Sequence, residues 1–139
     1  MKISKKKIGI LGGSFDPAHK GHLAISKEAK KKFNLKMVIW AITNQNPFKK
    51  KPSNELKKRI SYCEKIIKND KFIKVKYFED IIKSNKTSDL IDHFYKTGKY
   101  EIFFLIGADN LVKFHKWHKG RNILKKSKLI VFDRHGYKK

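Results

Sequence analysis

The feature that most constrains the fold is a set of short apolar runs rich in β-branched and aromatic residues. Most of these runs are apolar throughout, which is typical of strands that a sheet buries on both faces. Their short length and the turn residues beside them favour strands over helices. The predicted strands cover residues 7–12, 37–42, 72–78, 100–106 and 129–132, and only 72–78 partly alternates apolar with polar residues.

Amphipathic helices are predicted between these strands. The first covers residues 21–32, the second follows Ser53 as a suitable N-cap, and the third follows Thr87 or Ser88 as its N-cap. This alternation predicts an α/β fold, a doubly wound, parallel, five-stranded Rossmann-like sheet with helices on both faces. In such sheets ligands bind at the carboxyl ends of the strands, near the reversal in strand order.

The chain has 139 residues, a size that fits a single domain, and we treat residues 1–139 as one. The longest apolar run, near residues 102–108, is too short to span a bilayer, so no membrane association is predicted. A single cysteine, Cys63, excludes an internal disulfide framework and fits a reducing compartment. The basic N-terminus continues into Gly12, Gly13 and Asp16 without a secretory cleavage pattern. We therefore expect a cytoplasmic protein.

The formal net charge of +23 has two explanations. A nucleic-acid-binding module would use such charge to neutralise phosphates. A compositional lysine bias explains it equally simply, because 32 of the 35 basic residues are lysines spread over the whole chain. Proteins that read nucleic acids tend to use arginine, and no aromatic residues are interleaved with the lysines as a stacking platform would require. The bias is the favoured explanation, and the nucleic-acid module stays open as an alternative.

The segment most directly linked to chemistry is GGSFDPAHKGH, residues 12–22, which follows the first predicted strand. It is neither a GxGxxG fingerprint nor a P-loop. Gly12 and Gly13 should let the backbone turn sharply and approach a ligand closely. The helix that follows offers its N-terminal amides to anions, and His19 and His22, three residues apart, could face the same phosphates. The segment therefore predicts a polyphosphate site.

Residues 12–22 resemble the HxGH signature of nucleotidyltransferases, (G)(S/T)FDPxHxGH. Further segments resemble the nicotinate-mononucleotide adenylyltransferase branch of that superfamily. In IIKSNKTSDLI, Thr87 and Asp89 match the (R)YTxDTL segment, with Lys86 where tyrosine is usual. The others are TNQNPFK at 43–49, IGADNLVKFHKWHKGRNIL at 106–124, similar to GxDxLxxFxxW, and KLIVFDRHGY at 128–137, in which Arg134 and Gly136 match R-x-G-Y.

The resemblance implies transfer of the adenylyl group of ATP to nicotinate mononucleotide, which gives nicotinate adenine dinucleotide and pyrophosphate in NAD biosynthesis. The two substrates are the implied partners, and Mg²⁺ would enter with ATP rather than occupy a protein metal site. His19 and His22 would be catalytic by holding the triphosphate. The implied ATP-binding residues are Gly12, Gly13, Ser14, Phe15, His19, His22, Gly107 and Asp109, and the mononucleotide-binding residues are Asn46, Lys49, Thr87 and Trp117.

Several of these residues also have a purely structural interpretation. Trp117 could be a core anchor, and Thr87 and Asp109 could be helix caps. Lys49 lies in a lysine run typical of a solvated surface, and Cys63 is expected to be buried and unreactive. His115 and His118 have a spacing suited to zinc, but two ligands do not close a site, so no metal site is predicted.

The sequence differs from the family at its C-terminal end. The family continues into a helical segment with an (I/S)SxTxIR motif that contacts ATP phosphates, and no such string occurs in residues 1–139. We expect a domain without that segment, whose bare sheet face would be covered by self-association or by a separately encoded C-terminal segment. The alternative function is therefore an inactive or split nucleotide-binding remnant.

Overall fold

The fold was analysed on a computed structural model that describes residues 5–13, 15, 18, 20–43, 56–83, 86–108 and 119–132. Strands and helices alternate along most of the chain. The strands are β1 (Lys6–Gly13), β2 (Met37–Ile42), β3 (Ile73–Lys76), β4 (Tyr100–Gly107) and β5 (Lys128–Phe132). The helices are α1 (Lys20–Phe33), α2 (Leu56–Ile66), α3 (Glu79–Ile82), α4 (Thr87–Tyr95) and α5 (Gly120–Lys126).

The five strands form one parallel sheet in the order β3-β2-β1-β4-β5. The central strand β1 pairs on one side with β2, where Ile8 is opposite Met37, and on the other with β4, where Ile8 is opposite Ile102. The strand order therefore reverses between β1 and β4, which makes the carboxyl ends of these two strands the expected ligand-binding position.

Alternate residues of each strand point to opposite faces and divide the core in two. Helices α1 and α2 cover one face, here called the α1/α2 face, with Trp40 and Leu105 among its buried strand residues. Helices α4 and α5 cover the opposite α4/α5 face, where Ile10 and Phe104 are buried against Ile91. The predicted doubly wound parallel five-stranded sheet with helices on both faces is confirmed.

Gly9, in the middle of β1, lies in a closely packed part of the core. A Cβ atom at this position would lie 2.9 Å from Cδ1 of Leu35 and 3.2 Å from Cδ1 of Leu105, so both leucine side chains would have to shift to admit it. The missing side chain lets the connection between α1 and β2 pack directly on the central strand. Sequence reasoning did not identify this role.

The predicted elements agree with the structure except at a few positions. Strand β3 is shorter than the predicted 72–78, and α3 and α5 were not predicted. Thr87 and Ser88 are not the N-cap of α4, because that position belongs to Lys86, which makes no side-chain capping bond. Ser53 and most of the predicted loop at 43–52 lie outside the described residues.

Candidate active site

The candidate site lies at the carboxyl ends of β1 and β4. The strand register pairs Leu11 with Leu105, so Gly12 and Gly13 end β1 beside the residues that lead to Gly107 at the end of β4. On the other side of β1, the amide of Thr43 donates a hydrogen bond of 2.9 Å to the carbonyl oxygen of Gly13. This bond joins the carboxyl ends of β1 and β2.

The two glycines at the end of β1 differ from the expectation of a sharp turn. Both belong to the extended strand, and neither has a positive φ. That prediction was wrong in its location, because the left-handed backbone falls on Phe15, with φ 51°. Close approach to Gly12 remains feasible, since the nearest heavy atom to a Cβ built there is the carbonyl oxygen of Ala41 at 3.9 Å. The end of β1 is therefore an open stretch of backbone next to a constrained turn.

Phe15 holds an unfavourable backbone conformation by burying its ring. A left-handed conformation costs a non-glycine residue about 1–3 kcal/mol and persists only where packing enforces it. The side chain is 2% exposed, and its ring stacks on the indole of Trp40 at a centroid distance of 5.0 Å and an interplanar angle of 19°. Strain that is held in this way clusters at functional sites.

His22 packs against the rings of both Phe15 and Trp40. The ring centroids of His22 and Phe15 are 4.5 Å apart, and the imidazole lies 5.8 Å from the indole of Trp40. His22 is half-buried in the first turn of α1, the helix that follows the carboxyl end of β1. Because a helix N-terminus attracts anions, this is a suitable position for an imidazole that contacts phosphates.

The structure brings a subset of the predicted site residues together. Gly12, Gly13, Phe15 and His22 form one contiguous group, and Gly107 ends the adjacent strand. Thr87 is the half-buried first residue of α4, so the alternative that it is the helix cap is wrong. The predicted residues that lie outside the described part of the chain are Ser14, His19, Asn46, Lys49, Asp109, His115, Trp117, His118, Arg134 and Gly136.

A polar network beside the site was missed by sequence reasoning. Arg59, on α2, is 2% exposed and donates from Nη1 to the carbonyl oxygen of Thr43 at 2.8 Å. The hydroxyl of Thr43 donates to Oε2 of Glu79, and the hydroxyl of Tyr77 donates to Oε1 of the same carboxylate at 3.3 Å. A buried arginine needs such partners, and this one fixes the carboxyl end of β2. The available signal was an arginine within the apolar helix face of a chain that otherwise uses lysine.

Cys63 does not contribute a nucleophile. Burial raises the pKa of its thiol to about 12, an effect that the nearby Arg59 guanidinium reduces only in part. The thiol is fully buried among apolar residues of the α1/α2 face, as the sequence predicted. Because the thiolate is the reactive form, this cysteine is inert in the folded protein.

Among the residues that the structure describes, no three His, Cys, Asp or Glu side chains converge as a metal cage would require. In the same residues, no helix has the length and apolar character needed to cross a bilayer.

Comparison with known proteins identifies the family of this chain. The family model described as cytidylyltransferase-like matches residues 10–138, so the chain belongs to the cytidylyltransferase-like family of nucleotidyltransferases. A Pelagibacter ubique protein named "Probable nicotinate-nucleotide adenylyltransferase" is 60% identical over 96% of this chain and 74% of its own length. A protein of the same name from Ruegeria sp. is 33% identical over 93% of this chain and 68% of its own length. Within the larger family, the chain belongs to the nicotinate-nucleotide adenylyltransferases.

A solved structure independently supports the fold. The nicotinic acid mononucleotide adenylyltransferase of Plasmodium falciparum, complexed with NaAD, superposes with a TM-score of 0.70 at 21% sequence identity. The match covers 92% of this chain and 75% of that one. The predicted Rossmann-like architecture is therefore shared with a protein of the same named activity.

Proposed function

We propose that this chain transfers the adenylyl group of ATP to nicotinate mononucleotide and releases nicotinate adenine dinucleotide and pyrophosphate. The observation that carries the proposal is the position of His22, held against Phe15 in the first turn of α1, at the carboxyl end of the strand where the strand order reverses. The 60% identity to a nicotinate-nucleotide adenylyltransferase supports ATP and nicotinate mononucleotide as the substrates of a phosphate-binding site in this position. We treat the described sheet and its helices as one nucleotidyltransferase domain.

The proposed reaction needs no covalent intermediate with the enzyme. The phosphate of the mononucleotide attacks the α-phosphorus of ATP, the bond from that phosphorus to the bridging oxygen breaks, and pyrophosphate leaves with the bonding electrons. Catalysis then consists of alignment and of stabilising the negative charge that develops on the phosphates. Mg²⁺ bound to ATP would neutralise part of that charge.

The chain's own residues have distinct parts in this proposal. His19 and His22 donate hydrogen bonds or positive charge to the triphosphate, next to the N-terminal amides of α1. Gly12, Gly13, Ser14 and Phe15 line the nucleotide from the end of β1, and Gly107 and Asp109 meet the adenosine at the end of β4. Asn46, Lys49, Thr87 and Trp117 bind the mononucleotide, with the indole stacking on the nicotinate ring.

The position of Thr87 supports its part in the proposal. It begins α4, and the preceding helix α3 follows β3, so both helices start from the end of the molecule where the strands finish. Asn122, near the start of α5, donates from its Nδ2 to Ser88 and Asp92, at 3.5 and 3.3 Å, which joins the start of α5 to the first two turns of α4. Thr87, as the first residue of α4, therefore lies toward the same end of the sheet as His22.

The buried single cysteine supports a cytoplasmic location as part of the same proposal.

The test is product formation from ATP, Mg²⁺ and nicotinate mononucleotide. We expect dinucleotide and pyrophosphate in equal amounts, and we expect His22→Ala to lower kcat by a factor of about 10² to 10³, as loss of one charge-stabilising group does. His93→Ala is the matched control, because His93 also packs on two aromatic rings, those of Phe78 and Phe94, but lies in the last turn of α4.

Each outcome of this test is informative. Turnover in the wild-type protein that His93→Ala keeps and His22→Ala loses supports the proposal. ATP binding by a folded wild-type protein without product favours the nucleotide-binding remnant instead. Tight, salt-dependent binding to DNA or RNA that His22→Ala leaves intact would favour the nucleic-acid module.

A further inference from the structure

The core directly beneath His22 contains two buried polar side chains that the proposed reaction does not use. Ser26 and Trp40 are both fully buried on the α1/α2 face. The indole Nε1 of Trp40 donates to Oγ of Ser26 at 2.8 Å, and that hydroxyl donates to the carbonyl oxygen of His22 at 2.8 Å. Two hydrogen bonds thus connect the middle of the sheet to the backbone of the residue proposed to contact phosphate.

In this connection, the buried indole N–H and the buried hydroxyl each have a hydrogen-bond partner of the right kind. An indole N–H is only a donor and needs an acceptor when it is buried, whereas a hydroxyl can accept one bond and donate another. Ser26 therefore links the indole N–H of Trp40 to the backbone of the first turn of α1. A serine that bonds back to the residue four positions earlier competes with the helix's own hydrogen bonds, so its presence here calls for a reason.

Trp40 also supports His22 by a second route. Its ring stacks on Phe15, and Phe15 in turn packs against the imidazole of His22. The left-handed backbone of Phe15, with φ 51°, is held by the burial of its ring, to which this stacking contributes. One buried indole therefore fixes the backbone of His22 through Ser26 and its imidazole through Phe15.

We propose that Trp40 and Ser26 are positioning residues for the adenylyl transfer, which set the backbone and ring of His22 in the orientation that meets the phosphates. The inference rests on the proposed function, because His22 is catalytic only in that reaction. Positioning matters because a displacement of about 1 Å at a reacting group can cost up to about a hundredfold in rate.

The first variant is Ser26→Ala, which removes both hydrogen bonds and leaves all the aromatic rings in place. We expect kcat to fall about tenfold while KM for ATP stays within about twofold, because the loss is felt mainly in the transition state. Trp40→Phe keeps a ring beside Phe15 but loses the N–H, and we expect a similar fall. The double variant should be no worse than the more affected single variant, since both break one connection.

The matched control is Ser127→Ala. Ser127 makes the same kind of bond, from its hydroxyl to the carbonyl oxygen of Ile123 four residues earlier at 2.6 Å, but at the C-terminal end of α5. A general effect of removing such a serine would appear in both variants, whereas a positioning effect appears only in Ser26→Ala.

The second readout does not depend on activity. In protein labelled with ¹³C-histidine, the ring resonance of His22, assigned by its loss in His22→Ala, senses the ring currents of Phe15 and Trp40. Ser26→Ala changes no ring, so a shift of the His22 resonance in that variant, and not in Ser127→Ala, means that the imidazole has moved.

A His22 resonance that stays in place in Ser26→Ala, or a kcat no lower than that of Ser127→Ala, would overturn the inference. If the wild-type protein showed no turnover, the proposed function would fail, and the resonance would still decide whether Ser26 and Trp40 position the imidazole.

Discussion

Helices α1 and α2 cover one face of the sheet and helices α4 and α5 cover the other, and the two faces treat polar side chains differently. On the α1/α2 face, Ser26, Arg59 and the Trp40 N–H are buried and hydrogen-bonded just below the carboxyl ends of β1 and β2. On the α4/α5 face, Ser88 is also fully buried, but the other described polar contacts are partly exposed, as in the Lys126–Asp92 ion pair between the helices.

The difference indicates that the two faces have different roles, since one fixes the geometry of the candidate site and the other mainly stabilises the fold. The buried polar groups of the α1/α2 face each end on backbone or side chains next to the candidate site, where fixed geometry matters most. The α4/α5 face is closed by apolar packing, with Ile8, Ile102 and Ile123 fully or almost fully buried. Its partly solvated ion pair contributes little by comparison.

The largest expected effect concerns how far the buried core of the α1/α2 face is protected from solvent and reagents. Cys63, the sole cysteine, should react with iodoacetamide at neutral pH about a thousandfold more slowly in the folded protein than in denaturant, because burial raises its pKa from 9.0 to about 12. The control is Ser61→Cys in a Cys63→Ala background, which places a thiol on the exposed side of α2. Equal labelling rates for the two proteins would mean that this face opens readily.

The next effect separates a buried polar group from a surface one of the same type. Arg59→Met should lower the free energy of unfolding by about 2–3 kcal/mol, because the Thr43 carbonyl loses its buried donor. Arg121→Met, which removes an exposed arginine on α5, should change it by less than about 0.5 kcal/mol. Urea titration measures the free energy of unfolding of both variants. Similar decreases in the two would contradict the proposed difference between the faces.

The smallest effect belongs to the ion pair of the α4/α5 face. Burial alone would raise the pKa of Asp92, but hydrogen bonds from Lys126 and Asn122 outweigh it and hold that pKa below its ordinary value. Asp92 therefore stabilises the fold above the ordinary carboxyl pKa, and this contribution is lost as pH falls through the lower folded pKa. Asp92→Asn should cost at most about 1 kcal/mol near neutral pH.

This pH dependence can be measured by thermal unfolding of wild type and Asp92→Asn. The difference in Tm should be greatest at neutral pH and shrink below about pH 4. Glu28→Gln, at an exposed carboxylate on α1, controls for the loss of one negative charge. A difference that grew on acidification would contradict the assigned direction.

Much of the fold was predictable because apolar runs and helix periodicity are local properties of the sequence. The five strands and the helices α1, α2 and α4 follow from them, and the parallel, doubly wound arrangement follows from strands buried on both faces. Helices α3 and α5 are short, at four and seven residues, and give too little periodicity to recognise.

The motif of the candidate site could be predicted from the sequence, but the residues that hold it in position could not. The residues of the segment 12–22 are adjacent in sequence, so Gly12, Phe15 and His22 could be identified together. The contacts of Trp40 with Ser26 and Phe15, and of Arg59 with Thr43, join residues that are distant in sequence. Such pairings depend on the packing of α1 and α2 on the sheet, which no local pattern specifies. The left-handed backbone of Phe15 was missed for the same reason, because glycines are the usual indicators of such turns.

The central position of β1 also has a kinetic consequence. On one side β1 pairs with β2 about 30 residues later, but on the other it pairs with β4 about 90 residues later. During synthesis, the β1–α1–β2 unit can therefore form while the opposite edge of β1 is still unpaired and able to template other strands. Closing that long loop is the entropically costly step, so docking of β4 should limit the rate of folding and bring the carboxyl ends of β1 and β4 together.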